Sequence, residues 1–301
     1  MTRGGAPGAA VAWGRPGAAA LMAIALLLPS AARGALEGRG EVRLGVQHLD
    51  YAEYAGAGST SLDREAGWLP AFSGELELRG GRWLGRASAR LALGSVSYHG
   101  HTQSLTDPNL DGLPLRSTTD ATFVSGELQG GAFLDDARRL ALFVALGARR
   151  WTRDIRDATV IARDGTPAAV LGLSEIYSWF ELMAGVRWTF LERPRMAWDA
   201  EARLVRTAGA EVSVDLARAF GVDATARLGL GARTGWRLGT TYRHDVTPTM
   251  FLVASAWAEG YAFGASGLYL FQDAGGVTQA IAEPRSDTVS AGLEVGVGGR
   301  F

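Results

Sequence analysis

A strict alternation of apolar and polar residues recurs along most of the chain and limits what it can fold into. The final stretch, SAGLEVGVGGRF, places Ala291, Leu293, Val295, Val297 and Phe301 on one phase, with small or charged residues between them. Successive side chains of a β-strand point to opposite faces, so this stretch predicts a strand with one apolar and one polar face. The class of protein then depends on what covers the apolar faces.

Ten segments carry the alternation, and several exceed the five or six residues of an average strand in a soluble protein. They are Arg39–Tyr51, Phe72–Arg79, Trp83–Tyr98, Thr122–Phe133, Leu140–Arg153, Glu175–Phe190, Met196–Arg206, Ala224–Tyr242, Phe251–Phe263 and Ser290–Phe301. Short polar turns and long loops rich in Gly, Asp and Ser alternate between them. An even number of amphipathic strands joined in this way is typical of an outer-membrane β-barrel.

The sequence therefore predicts an all-β fold, a transmembrane antiparallel up-and-down β-barrel of about ten strands that occupies residues 36–301. Its short turns are expected on the periplasmic side and its long loops outside the cell. A spanning sheet must close, because an open edge leaves backbone N–H and C=O groups unpaired in hydrocarbon. A lipocalin-like barrel or a β-sandwich would bury the apolar face instead, but neither explains charged residues in the middle of nearly every strand.

The polar faces predict a row of charged side chains that points into the barrel, which we call the lumen ladder. It consists of Glu41, Arg43, Glu75, Glu77, Arg86, Arg90, Glu127, Arg149, Glu181, Arg187, Glu201, Arg203, Arg227, Arg237, Glu259 and Glu294. Two interpretations of the ladder remain open. It lines a narrow pore with a weak preference for anions, or it forms a salt-bridged plug, because a small barrel has little free lumen once long Arg side chains occupy it.

Aromatic residues stand on the apolar phase beside the short turns and at the C-terminus, where they predict one belt at the membrane–water interface. They are Trp83, Trp188, Phe190, Trp198, Tyr242 and Phe301. The last strand with its terminal aromatic resembles the C-terminal signature of bacterial outer-membrane proteins. The resemblance covers roughly residues 36–301 and implies a Gram-negative outer-membrane location and recognition by the barrel-assembly machinery.

The N-terminus has the features of a signal peptide. Arg3 and Arg15 precede the apolar run AAALMAIALLL, and SAARGA offers small residues for cleavage. The run is shorter than the ~20 residues of a membrane helix, so we expect residues 1–32 to be removed on export. The net charge of −1 offers no basic surface for nucleic acid, and the absence of Cys excludes disulfides, thiolate metal sites and a Cys nucleophile.

The length and strand number are similar to those of the omptins, surface proteases with an Asp–Asp pair and an Asp–His pair at the extracellular rim. The loop 207–222 offers Glu211 and Asp215 but no His. His244 and Asp245 are adjacent, but they fall in a turn expected on the periplasmic side. General acid–base catalysis needs its groups within hydrogen-bond reach of one substrate, and this spacing does not predict that.

The loop YHGHTQSLTDPNLDG contains two further candidate arrangements. His99, His101 and Ser104 resemble the His–Ser pair of outer-membrane lipid A deacylases, although they are expected at or beyond the rim rather than on the lipid-facing wall. The spacing of Asp107, Asn109 and Asp111, followed by Gly, matches part of a calcium-binding loop, with Thr in place of the bidentate Glu at position twelve. A plain Asx-rich turn is the alternative to calcium.

Two further features point outward from the predicted barrel. Asp164 and Gly165 lie between two apolar runs and predict a two-stranded extension above the membrane. Arg150 and Arg206 stand on the outward phase near the rim, where Arg suits the phosphates of lipopolysaccharide.

From the sequence, the predicted function is that of a non-enzymatic integral outer-membrane barrel, either a narrow porin-like channel or a structural or adhesive surface barrel. A rim-sited hydrolase acting on lipid or peptide is the alternative. The expected partners are outer-membrane lipid, lipopolysaccharide and the assembly machinery, and no cofactor other than calcium is predicted.

Overall fold

The computed structural model describes residues 36–54, 61–102 and 108–301, so the predicted signal peptide lies outside the described residues. Ten long strands form the barrel wall: β1 (Glu37–Tyr54), β2 (Ser61–Gly80), β3 (Trp83–His101), β4 (Pro114–Phe133), β5 (Leu140–Ile155), β8 (Ser174–Arg193), β9 (Met196–Asp215), β11 (Thr234–Asp245), β12 (Met250–Phe263) and β15 (Arg285–Arg300). Five shorter strands and one helix lie between them: β6 (Ala158–Ile161), β7 (Pro167–Val170), α1 (Leu216–Phe220), β10 (Thr225–Gly229), β13 (Tyr269–Gln272) and β14 (Thr278–Ile281).

The ten wall strands pair antiparallel with their neighbours and close into a ring. The closure is between the first and last strands, from Arg39 opposite Arg300 to Tyr54 opposite Arg285. Closure satisfies the backbone groups that an open edge would leave unpaired in lipid. The predicted ten-stranded transmembrane barrel is therefore confirmed.

The alternation along β5 shows how the wall separates two environments. Leu142, Val144 and Leu146 are exposed on the outer surface, whereas Phe143 and Ala145 are buried inside. Exposed apolar side chains continue around the barrel at Val42, Leu44, Phe72, Leu182, Leu204, Leu238, Leu252, Leu293 and Val295. We call this surface the apolar band. A continuous apolar surface of this extent is suited to hydrocarbon rather than to water.

Aromatic side chains mark the periplasmic edge of the band. The ring centroids of Trp188 and Phe190 lie 5.7 Å apart, those of Phe190 and Trp198 5.5 Å, and those of Trp198 and Tyr242 5.9 Å. Trp83 begins β3 beside the nearest short turn. Phe301 is exposed, and its backbone exchanges two hydrogen bonds with Gly38, which fixes the end of the closing strand.

Polar residues replace apolar ones on the outer face toward the extracellular ends of the strands. Arg64 pairs with Asp50 at 2.6 Å, and Arg156 pairs with Asp120 at 2.8 Å. These charges mark the aqueous side of the membrane. Inward side chains at this height therefore lie outside the membrane, in what we call the extracellular half of the barrel.

Two hairpins stand at the extracellular end. β6 and β7 form the predicted extension, with Gly165 at φ 85° in the turn, a backbone angle that favours Gly. β13 and β14 form a second hairpin within the segment 264–286, which is one of the long loops between the predicted strands.

One predicted strand, Ala224–Tyr242, is wrong. It is divided between β10, which pairs with the extracellular end of β9, and β11, which belongs to the ring. As a result Arg227 does not face the lumen: it is exposed on β10, while Ala226 and Leu228 point inward.

The helix α1 has five residues, with Asp215 as its N-cap and Gly221 as its C-cap. Within the described ranges, no helix is long and apolar enough to cross a membrane.

Candidate functional site in the barrel interior

Ion pairs inside the apolar band connect neighbouring strands and also cross the lumen between strands that are not neighbours. Arg187 on β8 binds Glu77 on β2 at 2.5 Å and Asp199 on β9 at 2.5 Å. Arg243 on β11 binds the same Asp199 at 2.6 Å and Glu41 on β1 at 3.1 Å. The barrel axis is therefore occupied by side chains rather than left open at this level.

The next layer of the ladder is held by shared carboxylates. Arg149 makes a bidentate contact with Glu259 at 2.6 and 2.7 Å, and Arg237 binds the same carboxylate at 2.8 Å. Arg203 and Arg237 both bind Glu127, at 2.5 and 3.0 Å. The space that remains beside these side chains is a cavity of about 120 Å³, which is large enough for a cluster of waters.

All the predicted ladder residues except Arg227 point into the lumen, and each makes at least one ion pair. The predicted ladder leaves out Asp199 and Arg243, which are both buried in the network. Asp199 lies two residues before the predicted Glu201, and Arg243 lies six residues after the predicted Arg237, so each points to the same face of its strand as the predicted residue. Extending the alternation toward the periplasmic ends of these strands would therefore have identified both.

The lumen of the extracellular half is filled with apolar side chains. Trp151 is fully buried at its centre, with its ring 4.9 Å from that of Phe123, 5.0 Å from that of Tyr177 and 4.9 Å from that of Tyr51. We call this core the apolar plug. Its buried members are Leu49, Tyr51, Leu69, Ala71, Ala92, Val96, Ala121, Phe123, Trp151, Tyr177, Trp179, Ala210, Val212, Val214, Leu216, Ala226, Leu228, Leu230, Tyr261 and Phe263.

A buried guanidinium lies at the edge of the plug and collects carboxylates from three other strands. Arg153 binds Glu53 on β1 at 2.9 Å, Glu65 on β2 at 2.8 Å and Glu175 on β8 at 2.7 Å. It also donates a hydrogen bond to the Tyr177 hydroxyl at 2.9 Å. We call this group, together with Tyr51, Asp63 and Glu283, the Arg153 cluster.

The Arg153 cluster lies outside the membrane, because the outward neighbours of Arg153 are Thr152 and Asp154 and the latter pairs with Arg218. Burial raises the pKa of Glu175 to about 7, with Glu53 and Glu65 adding to the effect and Arg153 opposing it. Burial also raises the pKa of Asp63 to about 6. Carboxyl groups that retain protons near neutral pH are therefore a feature of this site.

The structure does not assemble the residues considered for hydrolysis. His99 and His101 are exposed at the end of β3, and the His101 Nδ1 atom lies 3.2 Å from the Leu62 carbonyl oxygen. Ser104 lies outside the described residues. His244 lies near Tyr242 on β11, at the periplasmic end of the barrel.

The other omptin-like candidates have structural contacts. Asp215 accepts a hydrogen bond from the Ala217 N–H at 2.9 Å as the N-cap of α1, and Glu211 stands on β9 opposite Ser178. Neither of these contacts involves a His.

The calcium hypothesis stays a prediction. Asp107 lies outside the described residues, while Asn109 and Asp111 stand in a turn before β4. Arg163 reaches this turn from the β6–β7 hairpin: its guanidinium donates to the Asp111 carbonyl at 2.8 Å and its N–H to the Asn109 carbonyl at 3.1 Å. Among the residues that the structure describes, no group of three or more His, Asp or Glu side chains is arranged to hold a metal ion.

Arg150 and Arg206 point outward at the extracellular edge of the apolar band. They flank the exposed ring of Phe180, which lies on the strand between them. Arg206 donates a hydrogen bond to Thr234 at 3.3 Å. Neither Arg forms an ion pair within the described ranges, in contrast to Arg64 farther from the membrane.

No family model matches the chain, and no curated protein matches its sequence. Among solved structures, outer membrane protease OmpT from Escherichia coli superimposes with a TM-score of 0.58 and 9% identity, over 90% of this chain and 100% of that chain. The translocator domain of autotransporter NalP from Neisseria meningitidis covers 94% of each chain at a TM-score of 0.42 and 10% identity. The toluene transporter TodX from P. putida covers 92% of this chain and 94% of its own at a TM-score of 0.33 and 9% identity.

At 9% identity the similarity to OmpT concerns the fold alone. Together with the closed ring and the apolar band, that fold makes the protein an integral β-barrel of the Gram-negative outer membrane.

Proposed function

We propose that this protein is a sealed, non-enzymatic barrel that presents its extracellular hairpins at the cell surface in a structural or adhesive role. The apolar plug carries the proposal. Its buried rings and aliphatic side chains fill the extracellular half of the lumen, above the ion pairs that fill the membrane half. The sequence left open whether the lumen is a narrow pore or is filled by side chains. This arrangement favours the filled lumen over the porin-like channel.

The physical basis is the cost of moving an ion through a packed apolar layer. An ion loses its hydration in such a layer and finds no compensating polar groups, which costs far more than thermal energy. The ion pairs below the plug do not reduce this cost, because their charges are already neutralised by one another. A folded barrel of this kind is therefore closed to hydrated solutes.

Single-channel recording in planar bilayers tests this function. We expect the purified mature protein to give no discrete conductance steps, whereas a general porin inserted under the same conditions gives them. Refolding is checked beforehand by the mobility of the unheated barrel on a denaturing gel. Reproducible, ion-selective steps from the folded protein would favour the channel and contradict the proposal.

We also propose that lipopolysaccharide contacts the outer wall through Arg150 and Arg206. A guanidinium presents a planar set of donors that matches phosphate oxygens, and both side chains lie at the edge of the apolar band without a carboxylate partner in the described part of the chain. Lipid acyl chains would pack beside Phe180 while the phosphates sit at the two guanidinium groups.

Replacing both residues tests this contact. We expect the double variant Arg150→Gln and Arg206→Gln to retain several-fold less lipopolysaccharide after purification in detergent than the parent, measured as phosphate bound per protein. Arg64→Gln is the matched control, since that exposed Arg already pairs with Asp50, and it should leave the ratio unchanged. Equal retention by the double variant and the parent would rule out a role for these two residues.

A further inference from the structure

The β13–β14 hairpin is attached to the Arg153 cluster through one residue. Glu283 lies between β14 and β15, and it is buried. Its N–H donates to the Ser266 hydroxyl at 2.8 Å, and the Ser266 N–H donates to its carbonyl at 2.9 Å, so the two ends of the hairpin segment are tied together. Its carboxyl group extends into the barrel, where the Tyr177 and Tyr51 hydroxyls donate to Oε1 at 2.5 and 3.3 Å.

The hairpin covers the plug. Tyr269, Phe271 and Ile281 pack against the plug from one face, whereas Leu270 and Ala280 are exposed on the other. The underside is apolar and its strands pair only with each other among the described strands. The hairpin therefore depends on this packing and on Glu283 for its position over the barrel.

The surroundings of Glu283 are strongly unbalanced in charge. The facing groups are Glu53 and Tyr51 from β1, Asp63 and Glu65 from β2, Tyr98 from β3, Arg153 from β5, and Glu175 and Tyr177 from β8. Among these facing groups, five buried carboxyl groups, including that of Glu283, are set against one guanidinium, that of Arg153, which pairs directly with three of them. Burying ionised groups without a partner is costly, so this packing favours protonated carboxyl groups.

The protonation states follow from the same environment. Burial raises the pKa of Glu283 well above its usual range, and Glu53 and Glu175 add to the effect. Burial also raises the pKa of Tyr51 and that of Tyr177, so both phenols keep their protons and remain donors. A neutral Glu283 fits among these groups, whereas an ionised one adds a further negative charge to a cluster whose cation, Arg153, already pairs with three carboxyl groups.

We propose that Glu283 is a pH-dependent latch that holds the β13–β14 hairpin over the plug while its carboxyl group is protonated and releases the hairpin when that group ionises. A carboxyl group whose pKa is raised in the closed form stabilises that form fully at acid pH. The stabilisation is lost as the pH rises through the raised pKa. The latch therefore opens as the pH rises through that raised pKa, and it does so whether or not the barrel conducts.

Cysteine labelling tests the latch directly, because the chain contains no Cys of its own. Ile281→Cys places a thiol on the packed face of the hairpin, and Ala280→Cys places one on the exposed face next to it. The ratio of their maleimide labelling rates cancels the dependence of thiol reactivity on pH. Phe271→Cys and Gln272→Cys form a second such pair if the first does not fold.

We expect the ratio of packed to exposed labelling to rise at least about tenfold between about pH 5.5 and about pH 9, because ionisation of Glu283 removes the stabilisation of the closed form. Adding Glu283→Gln, which keeps the acceptor oxygen but cannot ionise, should hold the ratio low at both pH values. A ratio that does not change with pH in the parent would overturn the latch. An equal rise in the Glu283→Gln background would overturn the role of Glu283.

Discussion

Replacing Trp151 by Ala is expected to lower the free energy of unfolding of the barrel by about 3–5 kcal/mol. The indole is fully buried and touches the rings of Phe123, Tyr177 and Tyr51, so its removal leaves a large cavity at the centre of the plug. The surrounding rings belong to strands held in a closed ring and cannot collapse fully into that space. Unfolding by guanidinium chloride of the barrel refolded in detergent micelles measures the change in the free energy of unfolding.

Trp188→Ala is the matched control for this prediction. The indole of Trp188 is 55% exposed on the outer wall, where it contacts Phe190 at the periplasmic edge of the apolar band. Its removal leaves no internal cavity, so the loss of stability should be much smaller than for Trp151. Equal losses for the two variants would show that the extracellular half is not a packed core.

The barrel could be predicted from the sequence because lipid imposes one simple rule on every spanning strand. Leu142, Val144 and Leu146 face hydrocarbon and must therefore be apolar. Their spacing of two residues identifies the outer face of the strand without knowledge of any other strand. The same rule placed Trp188 and Trp198 at the membrane interface, since both lie on the apolar phase beside a short turn.

The apolar plug could not be predicted in the same way. Arg149, Trp151 and Arg153 share the inward phase of one strand, yet the first belongs to the charged layer and the second to the centre of the plug. A period of two identifies the face of a residue but not the height at which the filling of the lumen changes. Inward-facing aromatic residues near the long loops, such as Tyr177, were the sequence feature that could have indicated an apolar filling of the lumen.

The Arg153 cluster is also beyond local sequence patterns. Arg153 lies 100 residues from Glu53 and 88 from Glu65, and Tyr177 lies 106 residues from Glu283. These groups meet because the ring closes, so their spacing in the sequence carries no signal. The prediction that Arg227 faces the lumen was wrong for a related reason. Arg227 lies on β10, which is not part of the ring and pairs with β9 above the membrane.

Replacing Arg153 by Met is expected to cost about 3–5 kcal/mol at neutral and alkaline pH, because it leaves buried carboxylates without their cation. The Met side chain preserves much of the buried volume, so the loss reports the charge rather than a cavity. The control is Arg64→Met: that guanidinium is 59% exposed in its pair with Asp50, and an exposed ion pair contributes at most about 1 kcal/mol.

The pH dependence of the Arg153→Met variant separates an electrostatic loss from a general packing defect. Arg153 opposes the rise in the pKa of Glu175 and in that of Glu283, so both values move higher still without it. Acid pH then protonates the carboxyl groups, and the difference in unfolding free energy between the parent and the variant should shrink as the pH falls from about 8 to about 5. A difference that stays constant over this range would mean that Arg153 acts through packing, and that the charge of the cluster does not control the stability of the extracellular half.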